Sequence, residues 1–394
     1  MKKLDSRTAI LIAASVSLMV FTGCSFNSSI ASYKTSALQS SIASDTPKDN
    51  ASADILQTTD AAGMTTVPVT APVTAPVTAP GLQDYFPLTP DVYCSYSGTG
   101  NEFVSMTTYV EYAGPDMIQL VYDNGATESH ILYAVRDGQV QALHTEFELY
   151  VREDLSLLMP DSYGEILLKE PLEVGTSWDV LDGVRTITSM HVTVTTPSGT
   201  YDALEVTTKG NDNSTAKQYY APGTGYVKLM VSGTDYEVIQ ELETRTIDAV
   251  RTENRTFYYP RMTQTDIEIV YKTIPIQMKT NENFTDILAG YLQTAPAADV
   301  QPVMSENVMI NSMRLDSESG IVTIDVSANF VTEMNAGSAM EGAILQSLAN
   351  TVGSAYGVQE VIVTLDGQLY ESGHIELKEG ESLTVDYDNL VELS

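Results

Sequence analysis

Ser189-Met190-His191-Val192-Thr193-Val194-Thr195-Thr196-Pro197-Ser198-Gly199-Thr200-Tyr201-Asp202-Ala203-Leu204-Glu205-Val206-Thr207 decides how the middle of this chain folds. Valine alternates with threonine, Pro197-Ser198-Gly199 interrupts, and a second β-rich segment follows from Tyr201. Two period-two runs of β-branched residues around a Pro/Ser/Gly break predict a pair of antiparallel strands. The same grammar extends in both directions. Gln218–Ala221 stops at Pro222-Gly223-Thr224-Gly225 and resumes at Tyr226–Val231. Upstream, Phe103–Tyr112 alternates with Thr and Glu, and Met117–Tyr122 ends at Asp123-Asn124-Gly125, a hairpin signal. Ile131–Val135 ends at Arg136-Asp137-Gly138, and Val140–Leu149 follows. No helix-period stretch of useful length interrupts this region. Residues 84–247 therefore predict an all-β antiparallel domain, one curved sheet or half-barrel.

From about Arg251 the pattern changes. Thr256–Tyr259 and Glu268–Ile276 are strand-like. Asn281–Thr294 is a helix candidate, with Phe284, Ile287, Leu288, Tyr291 and Leu292 on one face, Asn281 as cap and Pro296 as stop. Met309–Leu315 and Ile321–Val326 form a hairpin around Asp316-Ser317-Glu318-Ser319-Gly320. Ser338-Ala339-Met340-Glu341 has the spacing of a capping box. It opens a helix that buries Met340, Ile344, Leu345, Leu348 and Val352 and closes near Gly357. Val361–Leu365 is a short buried strand ending at Asp366-Gly367. The order ββαββαβ over residues 252–394 predicts an α+β domain, a sheet with two helices on one face.

These pieces resemble a known family. Ile321-Val322-Thr323-Ile324-Asp325-Val326-Ser327, then Asn329-Phe330, Gly337-Ser338 with Glu341, Asn350-Thr351-Val352, Val358-Gln359-Glu360-Val361, Leu365-Asp366-Gly367 and Gly373-His374 follow the order of the GerMN domain of spore-germination and sporulation proteins. The resemblance covers residues 255–388, about a third of the chain. The family commonly ends its first helix with Gly-Pro, where this chain has Gly290-Tyr291 and a later Pro296. Membership implies an α+β module that associates with itself or docks to an envelope complex, and it implies no catalytic residues.

The N-terminus points to export. Lys2, Lys3 and Arg7 precede an apolar run, Ala9–Phe21, too short to span a bilayer comfortably. Val20-Phe21-Thr22-Gly23-Cys24 resembles a lipobox, with Phe21 where that family prefers Leu. The resemblance implies cleavage between Gly23 and Cys24 and a diacylglycerol thioether on Cys24, with palmitate-type acylation. Residues 1–23 then form the signal, and residues 24–83, rich in Ser, Thr and Pro, form a disordered tether. Within it Pro68-Val69-Thr70-Ala71 recurs as Pro72-Val73-Thr74-Ala75 and Pro76-Val77-Thr78-Ala79, a spacing that denies helix and ladder and favours extended chain.

The chain carries 52 acidic against 20 basic side chains, net −32. Such a surface repels phosphate backbones, so nucleic acid is excluded as a partner. Of two cysteines, lipidation of Cys24 leaves Cys94 without a disulfide, a structural thiol in an alternating strand. None of the histidines His130, His144, His191 and His374 stands at metal-ligand spacing from another ligand type, so no metal and no cofactor is expected. Asp325 interrupts an apolar strand. A carboxylate there must hydrogen-bond or face water, and tying down the Asn329 loop is its expected role. Neither a Gly-x-Ser-x-Gly elbow nor a phosphate loop occurs; Pro222-Gly223-Thr224-Gly225 continues into strand rather than helix.

The expectation is a non-enzymatic protein of the cell envelope. It is lipid-anchored to the cell membrane on the extracytoplasmic side and serves assembly or interaction, with a sporulation or germination role in view. The alternative is a lipoprotein that binds a lipid or cell-wall fragment in the β-domain, lined by Tyr93, Tyr96, Tyr109, Tyr112, Tyr122 and Tyr133.

Overall fold

The computed structural model describes residues 79–158, 164–316 and 318–393, and these from Pro80 onward form one compact unit. A one-turn helix α1 (Leu82–Tyr85) precedes twelve strands: β1 (Tyr93–Thr99), β2 (Met106–Ala113), β3 (Met117–Asp123), β4 (Glu128–Arg136), β5 (Gln139–Phe147), β6 (Glu165–Lys169), β7 (Ser177–Val180), β8 (Gly183–Thr196), β9 (Gly199–Gly210), β10 (Thr215–Ala221), β11 (Gly225–Ser232) and β12 (Glu237–Thr246). They make a single sheet in the order β6-β5-β4-β3-β2-β1-β12-β11-β10-β9-β8-β7, every pair antiparallel. The opening stretch of sequence lies in the β8–β9 hairpin, paired from Gly183↔Gly210 to Thr196↔Gly199 with register shifts between Ile187 and Ser189 and between Ser189 and Val192. At the β4–β5 turn both Asp137 (φ 53) and Gly138 (φ 67) are left-handed, the demand of a tight hairpin turn that matches strand twist.

A sheet this wide leaves β6 and β7 as edges, each a template for another chain. Side chains draw them together. The Trp178 indole donates to the Ile166 carbonyl (3.0 Å), Arg185 Nη1 donates to the same carbonyl (2.6 Å), and Arg185 pairs with Glu165. The sheet thus rolls into the nearly closed half-barrel foreseen from the sequence. The segment before β1 plugs it: Leu82, Tyr85 and Phe86 are buried with the inner face, and the Phe86 and Tyr133 rings meet edge-on at 5.2 Å. The Gly223 amide fastens the plug by donating to the Asp84 carbonyl (2.7 Å).

The second region opens with two long strands, β13 (Arg251–Met262) and β14 (Ile267–Met278), followed by α2 (Phe284–Leu292), β15 (Ile310–Asp316), β16 (Ile321–Val326), a turn of helix α3 (Asn329–Thr332), α4 (Ser338–Tyr356) and β17 (Glu360–Leu365). Three two-residue strands close it: β18 (Gln368–Leu369), β19 (Leu383–Thr384) and β20 (Val391–Glu392). The α+β class stands. The ladders group the strands as two sheets, β13-β14-β20 and β15-β16-β17-β18 with β19 on β17. The reason is local: the Tyr258 amide of β13 donates to Thr351 Oγ1 of α4 (3.0 Å) rather than to another strand. The apolar stripe of α4 is buried as expected, and Gly357 ends the helix in the left-handed region (φ 67).

Two helix starts differ from the sequence expectation. The N-cap of α2 is Asn283, because Asn281 takes a left-handed turn (φ 66) and spends its side chain on the half-barrel. The N-cap of α4 is Gly337, and Glu341 does not close a capping box. Its carboxylate is 2% exposed and turns inward to Tyr370, Ser372 and His374.

Candidate functional site

The lipidation and cleavage residues Gly23 and Cys24 lie outside the described residues. Among the described residues no helix is long and apolar enough to cross a membrane, and no cluster of His, Cys, Asp and Glu is set to hold a metal.

What the structure does bring together is a buried polar junction between the half-barrel and the α+β region. Strand β2 carries a bulge: Val110 faces Leu120 and Tyr112 faces Gln119, so Glu111 is the extra residue. The bulge frees the Glu111 carbonyl, which accepts from Arg152 Nη2 (2.7 Å) and from the Asn281 amide (3.0 Å). Asn281 then imitates a strand partner, accepting from the Ala113 amide (2.8 Å) and donating to its carbonyl (2.9 Å). Thr280 does the same one residue earlier: its amide donates to Asp91 Oδ1 (2.8 Å) and its hydroxyl to the Val110 carbonyl (2.7 Å). Tyr109 donates to the Met278 carbonyl (3.1 Å).

The Glu111 carboxylate, 1% exposed, lies 2.9 Å from His130 Nδ1, and Glu128 lies 3.1 Å from His130 Nε2. Gln119 donates to Glu111 (2.8 Å). Arg251 of β13 reaches Glu128 (2.8 Å), Glu253 (2.6 Å) and Glu111 (3.6 Å). Burial opposes a charge on His130, yet its hydrogen bonds to Glu111 and Glu128 overcome this and raise its pKa to about 9. Burial likewise works against the Glu128 carboxylate, and His130 with Arg251 holds its pKa below the ordinary value. Both ring nitrogens of His130 are occupied, so the ring has no free nitrogen to offer a substrate. It is a charged strut between two acids.

A second knot lies in the α+β region. Glu341 accepts from Tyr370 Oη (2.8 Å), from His374 Nδ1 (2.8 Å) and from Ser372 Oγ, pinning the loop after β18 to the first turn of α4. Burial pushes the Glu341 pKa up, and these donors carry it below the ordinary value. Asp325 is also structural, although its partners are not those expected: it accepts from Thr364 Oγ1 (2.6 Å), the Gly367 amide (2.7 Å) and Asn311 Nδ2 (2.8 Å). The neighbouring Asp366 reaches the α3 loop instead, accepting from the Ala328 amide (3.0 Å), because β16 and β17 run parallel and bring the 366 turn beside residue 328.

The other histidines pair too, His144 with Glu146 (2.7 Å) and His191 with Asp202 (2.9 Å). Cys94 is buried in the half-barrel, and burial raises its thiol pKa. Of the six tyrosines expected to line a pocket, Tyr96 and Tyr122 border the cavity inside the half-barrel. Tyr133 is behind them, its hydroxyl 2.9 Å from that of Tyr122; Tyr109 serves the junction; Tyr112 lies under Arg152; Tyr93 is 36% exposed. The junction residues Glu111, Gln119, Arg152 and Arg251 escaped sequence reading. The one signal is a lone carboxylate between Val110 and Tyr112 in an otherwise uncharged strand.

A rolled antiparallel sheet hydrogen-bonded to an α+β region defines a mostly β protein. Residues 256–371 match the family model Germane, described as sporulation and spore germination, and the chain carries a Germane, GerMN-related domain. Among solved structures, the tandem GerMN domains of the sporulation protein GerM from Bacillus subtilis are similar over 34% of this chain, at 21% identity and a TM-score of 0.26. The chain spans 45% of that structure's length. A candidate exported protein with a YmcC-like fold from Bacteroides fragilis is similar over 41% of this chain and 97% of its own, at 13% identity and TM-score 0.28. A candidate lipoprotein from Clostridium perfringens is similar over 34% and 87%, at 14% identity and TM-score 0.21. Likenesses of this size carry nothing about activity, ligand or partner. A search of curated proteins finds no match.

Proposed function

We propose that this chain is a lipid-anchored protein of the cell envelope, held outside the cytoplasm by an acylated Cys24 and acting by docking rather than by catalysis. Residues 24–83 are the tether; residues 84–247 and 252–394 are the two domains, which dock as one body. The partner is a second copy or another envelope protein, in the service of sporulation or germination. The observation that carries the reading is the Germane match over residues 256–371. Three features support it: the Thr22-Gly23-Cys24 sequence, the acidic surface, and a junction whose charges are spent on each other.

Mass spectrometry of the natural protein tests the anchor. The expected mature N-terminus is Cys24 bearing diacylglycerol, in the membrane fraction. Residues 1–23 intact, or a free Cys24 thiol, overturns it. Cross-linking of the full chain in its native membrane tests docking: a discrete adduct that residue changes on the Germane surface abolish is expected. A chain that stays uncross-linked, in a cell whose spore formation and germination ignore its deletion, overturns the role.

A further inference from the structure

Strands β13 and β14 pair without a break from Arg251↔Met278 to Met262↔Ile267. Side chains alternate between the two faces of such a ladder. One face turns to the core with Phe257, Tyr259, Val270, Ile276 and Met278. That same face carries every charged side chain of the two strands: Arg251, Glu253, Arg255, Arg261, Glu268 and Lys272. The opposite face carries none, in a protein of net −32. Its first half pairs Thr252 with Gln277, Asn254 with Pro275 and Thr256 with Thr273. All of these but Thr256 are exposed. The arrangement inverts the usual one, in which charge goes to the solvent side. Solubility therefore does not account for this face.

The second half of the face is aromatic. Tyr258 and Tyr271 are cross-strand partners with ring centroids 5.9 Å apart, and Tyr387 lies over Tyr258 at 5.5 Å. Tyr258 is 7% exposed and Tyr387 41%, so a buried ring backs an open one. At the rim the Tyr271 hydroxyl donates to Glu392 (3.5 Å), a carboxylate that turns anions away. Shape narrows the partner. Twelve residues of strand run ~40 Å, and two strands are ~10 Å across. A strip of roughly 400 Å² is about half of what each side of a standard protein interface buries. An extended peptide pairs with a sheet edge, where backbone groups are free, and not with a face. What fits a long, narrow, uncharged face is a single linear chain read by side chains alone. A sugar ring has an apolar C–H face for a tyrosine, and hydroxyls for amides that both donate and accept. We propose that the outer face of the β13–β14 ladder binds a linear, uncharged polysaccharide, its rings stacked on Tyr387 and Tyr271 and its hydroxyls held by Asn254, Gln277 and the Thr256–Thr273 pair. This site does not rest on the docking role, and a failed titration leaves the cross-linking test of that role intact.

Calorimetric titration of the full chain carrying Cys24→Ser tests the site with chitopentaose, cellopentaose and an oligogalacturonate of the same length. At least one neutral oligomer is expected to bind, equally at low and high salt, and the anionic one at least about tenfold more weakly. Tyr387→Ala is expected to weaken the neutral oligomer about tenfold by removing the open ring. Asn254→Ala with Gln277→Ala is expected to weaken it several-fold. These three side chains are exposed, and an unchanged denaturant midpoint shows that the variants fold. No binding of either neutral oligomer overturns the proposal. So does binding that Tyr387→Ala and the double variant leave unchanged. A dimer that Thr273→Glu splits, in a chain that takes up no sugar, also overturns it and gives the face to a second copy.

Discussion

The junction and the lumen are both buried, and they differ in how their charges are paired. At the junction Glu111, Glu128, His130, Arg251 and Glu253 form one connected set of ion pairs. In the lumen, a few strands away, Tyr220 and Arg245 keep polar atoms that meet no hydrogen-bond partner among the described residues. Ion pairs taken out of water recover their desolvation cost only when the geometry and the remaining hydrogen bonds are good. The junction meets the first condition through its ion pairs, although Arg152 Nε and Nη1 and Arg251 Nη1 meet no hydrogen-bond partner among the described residues, and its connected charges read as architecture. The lumen has no such ion-pair set, and its Tyr220 and Arg245 atoms border the cavity beside the hydroxyls of Thr89, Thr108, Thr224, Tyr96, Tyr122 and Tyr226.

Removing one member of the connected set gives the largest contrast. Glu111→Ala strips His130 of one partner and leaves Arg251 with one fewer acid. The expected loss is about 3–5 kcal/mol of unfolding free energy, measured by urea denaturation. A loss below about 1 kcal/mol breaks the distinction, because the junction would then be no tighter than a surface pair.

Next comes pH. His130 has a folded pKa of about 9 against an ordinary 6.5. A raised pKa contributes stability that is fully present below the unfolded value and lost as pH rises through the folded one. Stability should therefore fall between pH 6.5 and 9, by roughly 3 kcal/mol at most. His130→Gln should flatten that slope and also shrink the Glu128 part of the acid limb, which His130 helps to create, while leaving the Glu341 part in place. Glu128 and Glu341, whose pKa values are held low, contribute on that other limb: their share is present above the ordinary carboxylate range and fades as the solution is acidified.

A smaller effect is expected at the second knot. Glu341→Gln keeps the size of the side chain and removes the charge that Tyr370, His374 and Ser372 share. The expected cost is about 1–3 kcal/mol, with early hydrogen exchange in residues 370–377 as the local readout.

The parts of this molecule that were legible in the sequence are those set by short-range pattern. Hairpin turns such as Asp137-Gly138, the apolar stripe of α4 and the alternation of β8 and β9 each depend on neighbours within a few residues. Illegible were the features that depend on distant pairing. Asn281 looked like a helix cap because its long-range partner Ala113 is invisible from residue 281. Glu341 fitted a capping box by spacing, while its real partners come from a loop some thirty residues on. Closure of the sheet rests on Trp178 and Arg185 meeting Ile166, and no local rule names those partners. The junction was hidden for the same reason, since its ion pairs join β2, β4 and β13.

The smallest effect sharpens the comparison most, because it uses two buried tyrosines of the same half-barrel. Tyr133 and Tyr220 are 1% and 0% exposed. The Tyr133 hydroxyl has a partner 2.9 Å away in Tyr122, and the Tyr220 hydroxyl has none among the described residues. Tyr133→Phe breaks a made hydrogen bond and leaves Tyr122 short of one, so unfolding free energy should drop by about 1 kcal/mol. Tyr220→Phe removes an oxygen whose burial is uncompensated, so the ligand-free protein should be unchanged or more stable by up to about 1 kcal/mol. Opposite signs from the same chemical deletion, measured by denaturant unfolding of the full chain, would mark Tyr220 as a group kept for something other than the fold. Equal losses at both sites would mean the Tyr220 hydroxyl already has its partner in ordered water, and the lumen would then join the junction as architecture.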